Sequence, residues 1–147
     1  MPNPLVAQGT LNRLRASVSI PDRPELNITA SFLGKDGISV SLTGDATLTI
    51  PTMTGTVQSP EPYMLAELTV ALLRTQALGN QYKLQMELNT LIGDFTVRPD
   101  SSILTPYTFR NGAIARVREL PMNGSDAGYV ATLTGYYNIN DDLWNLV

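Results

Sequence analysis

Run after run of this chain alternates strictly between apolar and polar side chains, and that period of two commits most of its length to β structure. Leu14, Ala16, Val18 and Ile20 are separated by Arg15, Ser17 and Ser19. Leu26, Ile28, Ala30 and Phe32 repeat the pattern against Asn27, Thr29 and Ser31. Ile38, Val40 and Leu42 alternate with Ser39, Ser41 and Thr43, and Ala46, Leu48 and Ile50 with Thr47 and Thr49. Further on, Tyr82, Leu84, Met86 and Leu88 alternate with Lys83, Gln85 and Glu87, and Phe95 and Val97 oppose Thr96 and Arg98. Residues 113–120 predict a strand with mixed faces. The last run sets Tyr129, Ala131, Leu133 and Tyr137 against Thr132, Thr134 and Tyr136. Each run predicts a half-buried strand. Pro21-Asp22-Arg23-Pro24 breaks the first, and Gly34-Lys35-Asp36-Gly37 predicts a hairpin turn.

One segment follows a different period. Leu65, Leu68 and Leu72 fall on one helical stripe, and Ala66, Val70, Leu73 and Ala77 on another. Glu67, Arg74 and Thr75 form the polar strip. Ser59-Pro60-Glu61-Pro62 reads as a helix start and Gly79-Asn80 as its end. The expectation is mainly β: one antiparallel β domain carrying a single α-helix over about residues 60–78. So wide an apolar arc either packs into its own sheet or wedges against a neighbouring copy. In the second case Glu67 and Arg74 stand at a subunit contact.

The 147 residues, 43% of them hydrophobic, suit a single domain over residues 1–147. Residues 1–9 read as an arm and residues 138–147 as a tail that contacts neighbours. Charged residues make up 16%, below the roughly 25% usual for soluble domains, so much of the surface is neutral or covered by partners. The net charge is −3, and no Lys/Arg cluster offers phosphate neutralisation, which argues against tight nucleic-acid binding. Met1-Pro2-Asn3-Pro4 has neither a basic nor an apolar run, so no secretory leader is expected.

The chain lacks both Cys and His, which removes thiol chemistry, disulfides and the commonest general base. No phosphate-binding loop, zinc motif or nucleophile elbow occurs. Lys35 sits in a predicted turn and Lys83 on a polar strand face, poor settings for a Ser–Lys pair. Asp141-Asp142 lies within the predicted tail, where catalytic geometry is hard to hold. No enzyme, cofactor or metal is expected. Trp144, the sole tryptophan, sits among Leu143, Leu146 and Val147, and such a segment should dock, on its own domain or, as preferred here, on another chain.

Several segments, in order along nearly the whole chain, resemble bacteriophage tail tube proteins. They are Leu11-Asn12-Arg13-Leu14-Arg15, Pro24-Glu25-Leu26-Asn27-Ile28-Thr29-Ala30, Thr54-Gly55-Thr56-Val57-Gln58-Ser59-Pro60-Glu61-Pro62-Tyr63, Leu72-Leu73-Arg74-Thr75-Gln76, Ile92-Gly93-Asp94-Phe95-Thr96-Val97 and Gly135-Tyr136-Tyr137-Asn138-Ile139-Asn140. The resemblance implies an antiparallel β-sandwich or barrel subunit with one flanking α-helix, six copies of which form rings stacked into the tube of a long-tailed, contractile-type virion. Its implied partners are further copies of itself and the tail sheath, baseplate or initiator, and terminator proteins. Double-stranded DNA would cross the lumen into the host without specific binding. The subunit would reside in the host cytoplasm before assembly and in the virion tail afterwards. The type VI secretion tube protein is similar in plan.

On this reading Ser39, Ser41, Thr43, Thr47 and Thr49 face the lumen. The other reading of these hydroxyls is an ordinary solvated sheet face. Leu143, Trp144, Leu146 and Val147, with Glu67 and Arg74, would contact adjacent copies. The hairpin near Gly37 and residues 45–57 are candidates for ring-to-ring contact. Alternatives are a tube-initiator, baseplate or secretion-tube subunit, or a small β-sandwich binding module.

Overall fold

A computed structural model describes residues 14–73, 77–117, 124–125 and 128–142. The chain is mainly β with a single helix among the described residues. Its strands are β1 (Ala16–Ser19), β2 (Leu33–Thr43), β3 (Thr47–Pro51), β4 (Thr56–Pro60), β5 (Tyr63–Leu73), β6 (Leu91–Pro99), β7 (Tyr107–Val117) and β8 (Gly128–Asn138). The helix, α1, spans Ala77–Leu88. Six strands form one antiparallel sheet in the order β1-β6-β7-β8-β5-β2, curled into a half-barrel, while β3 and β4 form a separate two-stranded ribbon.

The core fills the inside of the curl. Ala66, Leu68, Val70 and Leu72 point inward from β5, and Tyr129, Ala131 and Leu133 from β8. Ile92, Phe95 and Val97 add β6, and Phe109 and Ile114 add β7. Burying one such side chain contributes about 1.5–3 kcal/mol, so this shared interior dominates the stability of the sheet. One side is plugged by Leu26 and Ile28, and Ile28 exchanges two backbone hydrogen bonds of 2.9 Å with Val18.

The helix is not at residues 60–78. Residues 63–73 are the central strand β5, paired with both β2 and β8. Ala66, Leu68, Val70 and Leu72 satisfy a period of two as well as a helical stripe, and two ladders decide the outcome. Ser59-Pro60-Glu61-Pro62, read as a cap, joins β4 to β5.

The helix occupies part of the stretch that reads as a strand by alternation. Leu78, Tyr82 and Gln85 are buried at helical spacing, and Lys83 pairs with Glu87 one turn on at 2.8 Å. Gly79 lies within the first turn of α1 against Tyr129, where a Cβ would stand 3.3 Å from the ring. Burial of Tyr82 is completed by a hydrogen bond from its hydroxyl to the carbonyl of Leu26 at 2.8 Å.

Two further expectations change. Residues 24–32, expected to form a strand from Leu26 on, instead form two 3-10 turns, Pro24–Leu26 and Ala30–Phe32, around the isolated bridge at Ile28. Asn27 accepts a hydrogen bond from the amide of Ile20 through its side chain at 2.7 Å, which favours a turn over a ladder. Gly34 to Gly37 is an irregularity inside β2, since Leu33 and Ile38 both pair with β5, opposite Leu72 and Val70. Gly37 takes the required φ of +63°.

Candidate assembly surfaces

β2, β5, β8 and β7 form a wall whose outward face follows from register, because directly paired residues project to the same side. Ser39 stands beside Thr69, Thr69 beside Thr132, and Thr132 beside Arg116. The next row is Ser41, Glu67, Thr134 and Ala113, and the third is Thr43, Leu65, Tyr136 and Arg110. The face is therefore rich in short hydroxyls. Its arginines sit near carboxylates: Arg116 lies 3.6 Å from Glu67 and Arg110 lies 3.1 Å from Asp94. All four side chains are about half exposed, so each pair adds at most about 1 kcal/mol, but each cancels a charge locally. Thr132 is fully buried within this face, and its hydroxyl takes no hydrogen bond.

The wall has two open margins among the described residues. β2 spans 11 residues and pairs on one side only, with β5. On the far side, the last pair between β6 and β7 is Leu91 with Ala113, and the Ile114 amide still reaches the carbonyl of Thr90. Residues 115–117 of β7 continue past β6, paired with β8 alone. β1, the other edge of the full sheet, is short and partly covered by the bridge to Ile28. Unpaired margins of this length are templates for strand addition.

The β3–β4 ribbon extends the β2–β5 hairpin into a long arm. Pairing passes from Thr43 opposite Leu65 to Thr47 opposite Pro60, a shift of one residue at the junction. Gly44, with a φ of +89°, makes the bend. The tip closes through a hydrogen bond from the Thr52 amide to the Gly55 carbonyl at 2.8 Å. No charged residue occurs from Thr47 to Pro60, and Leu48, Ile50, Met53 and Val57 are all exposed. An uncharged ribbon with apolar side chains exposed along it is a candidate association surface.

At the base of the arm the outward face ends in a groove of about 750 Å3 lined by Pro62, Tyr63, Leu65, Tyr136, Asn138 and Asp141. Tyr63 and Tyr136 meet edge to face, with centroids 5.7 Å apart. A second, apolar pocket of about 310 Å3 lies between β1, β2 and β6, lined among others by Val40, Val97, Ile103 and Leu104.

Of the residues singled out in the sequence, Ser39, Ser41 and Thr43 share the wall face. Thr47 and Thr49 lie in the ribbon instead, where Thr49 donates to the Gln58 side chain at 2.8 Å. Glu67 lies on the wall, in a strand rather than a helix. Arg74, Leu143, Trp144, Leu146 and Val147, and the arm at residues 1–9, fall outside the described residues. Sequence reasoning missed Thr69, hidden in a segment with helical spacing. It placed Thr132 and Thr134 on one strand face without joining that face to Ser39 and Ser41.

Among the described residues no three His, Cys, Asp or Glu side chains gather as a metal site, and no helix is long and apolar enough to cross a membrane. Burial raises the hydroxyl pKa of Tyr82 well above its ordinary value and that of Tyr129 more modestly, and both serve packing. No protein-family model matches the chain, and no curated protein matches it in sequence.

Proposed function

We propose that the chain is the wall subunit of a hollow tube, built from rings of identical copies and fitted to pass double-stranded DNA, as in the tail of a long-tailed bacteriophage. One observation carries this reading: a neutral, hydroxyl-rich sheet face is bounded by two open strand margins. Margins of that kind close a ring when β2 of one copy pairs with the end of β7 of the next. Six copies of a four-stranded wall set 24 strands side by side. At about 4.8 Å per strand this gives a circumference of about 115 Å and a radius of about 18 Å, a bore wide enough for a double helix. The lumen wall must not hold phosphate, and a face whose arginines lie beside carboxylates offers few free cations to do so.

The arm supplies the second, axial interface. Its apolar side chains are covered when it lies against the adjacent ring, and stacking then propagates as a tube. Sheath, baseplate and terminator proteins would complete the particle.

The test is assembly of the purified full chain, followed by sedimentation and negative-stain microscopy. Rings or rods with a central hole are expected. An Ile50→Asp variant is expected to keep the monomer's circular dichroism and lose rods. A wild-type chain that stays monomeric at high concentration overturns the reading.

A further inference from the structure

We infer that the groove at the arm base is the dock for the chain's own residues 143–147, with Trp144 as the anchor. Tyr63 is 52% and Leu65 60% exposed there, a large apolar surface to leave in water. Tyr136 forms the other wall, and Asn138 and Asp141 give the groove a polar rim. That rim is where the described chain runs out. Asp141 lines the groove, and Trp144 follows three residues later in the sequence. Three residues span at most about 10 Å, so the indole cannot travel far from this site.

Chemistry matches on both sides. Residues 143–147 comprise Leu143, Trp144, Asn145, Leu146 and Val147, with no charged side chain among them. An indole offers a broad apolar body to two tyrosines and a leucine, and an N–H donor to an amide or carboxylate at the rim. Tethering makes the contact intramolecular, with an effective concentration in the millimolar range, which favours the chain's own groove over a second copy's. Sequence alone pointed to a neighbouring copy; the position of the groove beside Asp141 points to the same one. The dock does not depend on tube assembly, so either reading can fail without the other.

Trp144 is the only tryptophan, so its emission reports this segment alone. The full chain is diluted until sedimentation detects only monomers. The expected result is emission blue-shifted from free tryptophan and acrylamide quenching reduced several-fold, both constant on further dilution. Leu65→Asp and, separately, Tyr63→Ala are expected to shift emission towards that of free tryptophan. Three results overturn the inference: a water-exposed spectrum in the wild-type monomer, a blue shift that appears only as copies associate, or a blue shift that survives both substitutions.

Discussion

The side-chain amide of Asn140 donates to the carbonyl of Glu61 at 2.7 Å, and also to that of Ala46 at 3.2 Å. These carbonyls flank the two strands of the arm at its base, Ala46 just before β3 and Glu61 just after β4, and the Glu61 amide already donates to the Ala46 carbonyl at 2.9 Å. Asn140 holds a φ of +55°, a conformation asparagine tolerates better than most residues. Asn140, two residues beyond β8, therefore helps fix the direction in which the ribbon leaves the domain. Asn140→Ala removes both bonds and strains the backbone. Denaturant titration should show a loss of about 1–2 kcal/mol. Hydrogen exchange should quicken in residues 47–60 far more than in β5 and β8. Equal quickening everywhere would contradict this anchoring role.

Gly112 lies beneath Phe95, and a Cβ there would stand 2.6 Å from the ring and also strike the backbone of Gly93. Phe95 in turn packs on Phe109, with centroids 5.2 Å apart. Neither the ring nor the strand backbone can yield, so Gly112→Ala should cost about 2–3 kcal/mol, the range of overpacked cores. Gly55→Ala, at the arm tip with nothing within 4 Å of an added Cβ, should stay within about 0.5 kcal/mol of wild type in the same titration.

Tyr82 links stability to pH. Burial raises its pKa above the ordinary value of 10.0, so the folded chain keeps a proton that the unfolded chain releases. The associated stability is complete below pH 10.0 and declines as pH rises from there towards the folded value. Tyr129 contributes in the same direction. Tyr82→Phe should lose about 1–2 kcal/mol at neutral pH, because the Leu26 carbonyl loses its partner, and should show a shallower alkaline decline. An alkaline decline as steep as that of wild type would place its cause elsewhere.

The fold class was legible from alternation because β1, β6 and β8 turn their apolar residues into the core, while β2 and β3 alternate in sequence although Val40, Leu42, Leu48 and Ile50 stay exposed. What misled was β5, where Leu65, Leu68 and Leu72 mimic a helix. Local spacing cannot register that two other strands flank this segment. The complementary error at α1 has the same origin: Tyr82, Leu84, Met86 and Leu88 alternate, yet only Tyr82 among them is fully buried. Ser39, Ser41 and Thr43 were legible as one strand face. Their company on the wall, Thr69, Thr132 and Thr134, depends on pairing between segments far apart in sequence.

The neutrality of that face gives a charge test. Ser39→Lys with Ser41→Lys places two cations on the wall without touching the core. Assembled tubes of this variant should retain duplex DNA at low salt and release it as salt rises, with binding falling linearly in log–log form. Wild-type tubes should retain little at either salt. Equal retention by both would mean that the face does not line the channel.

A three-dimensional cryo-EM reconstruction of the purified full chain tests the central claim most directly. The account predicts a hollow ring or tube, with β2 of each copy hydrogen-bonded to the end of β7 in the next and with Ser39, Ser41 and Thr69 lining the bore. A closed monomer, or an assembly carrying those three side chains on its outer surface, would contradict it.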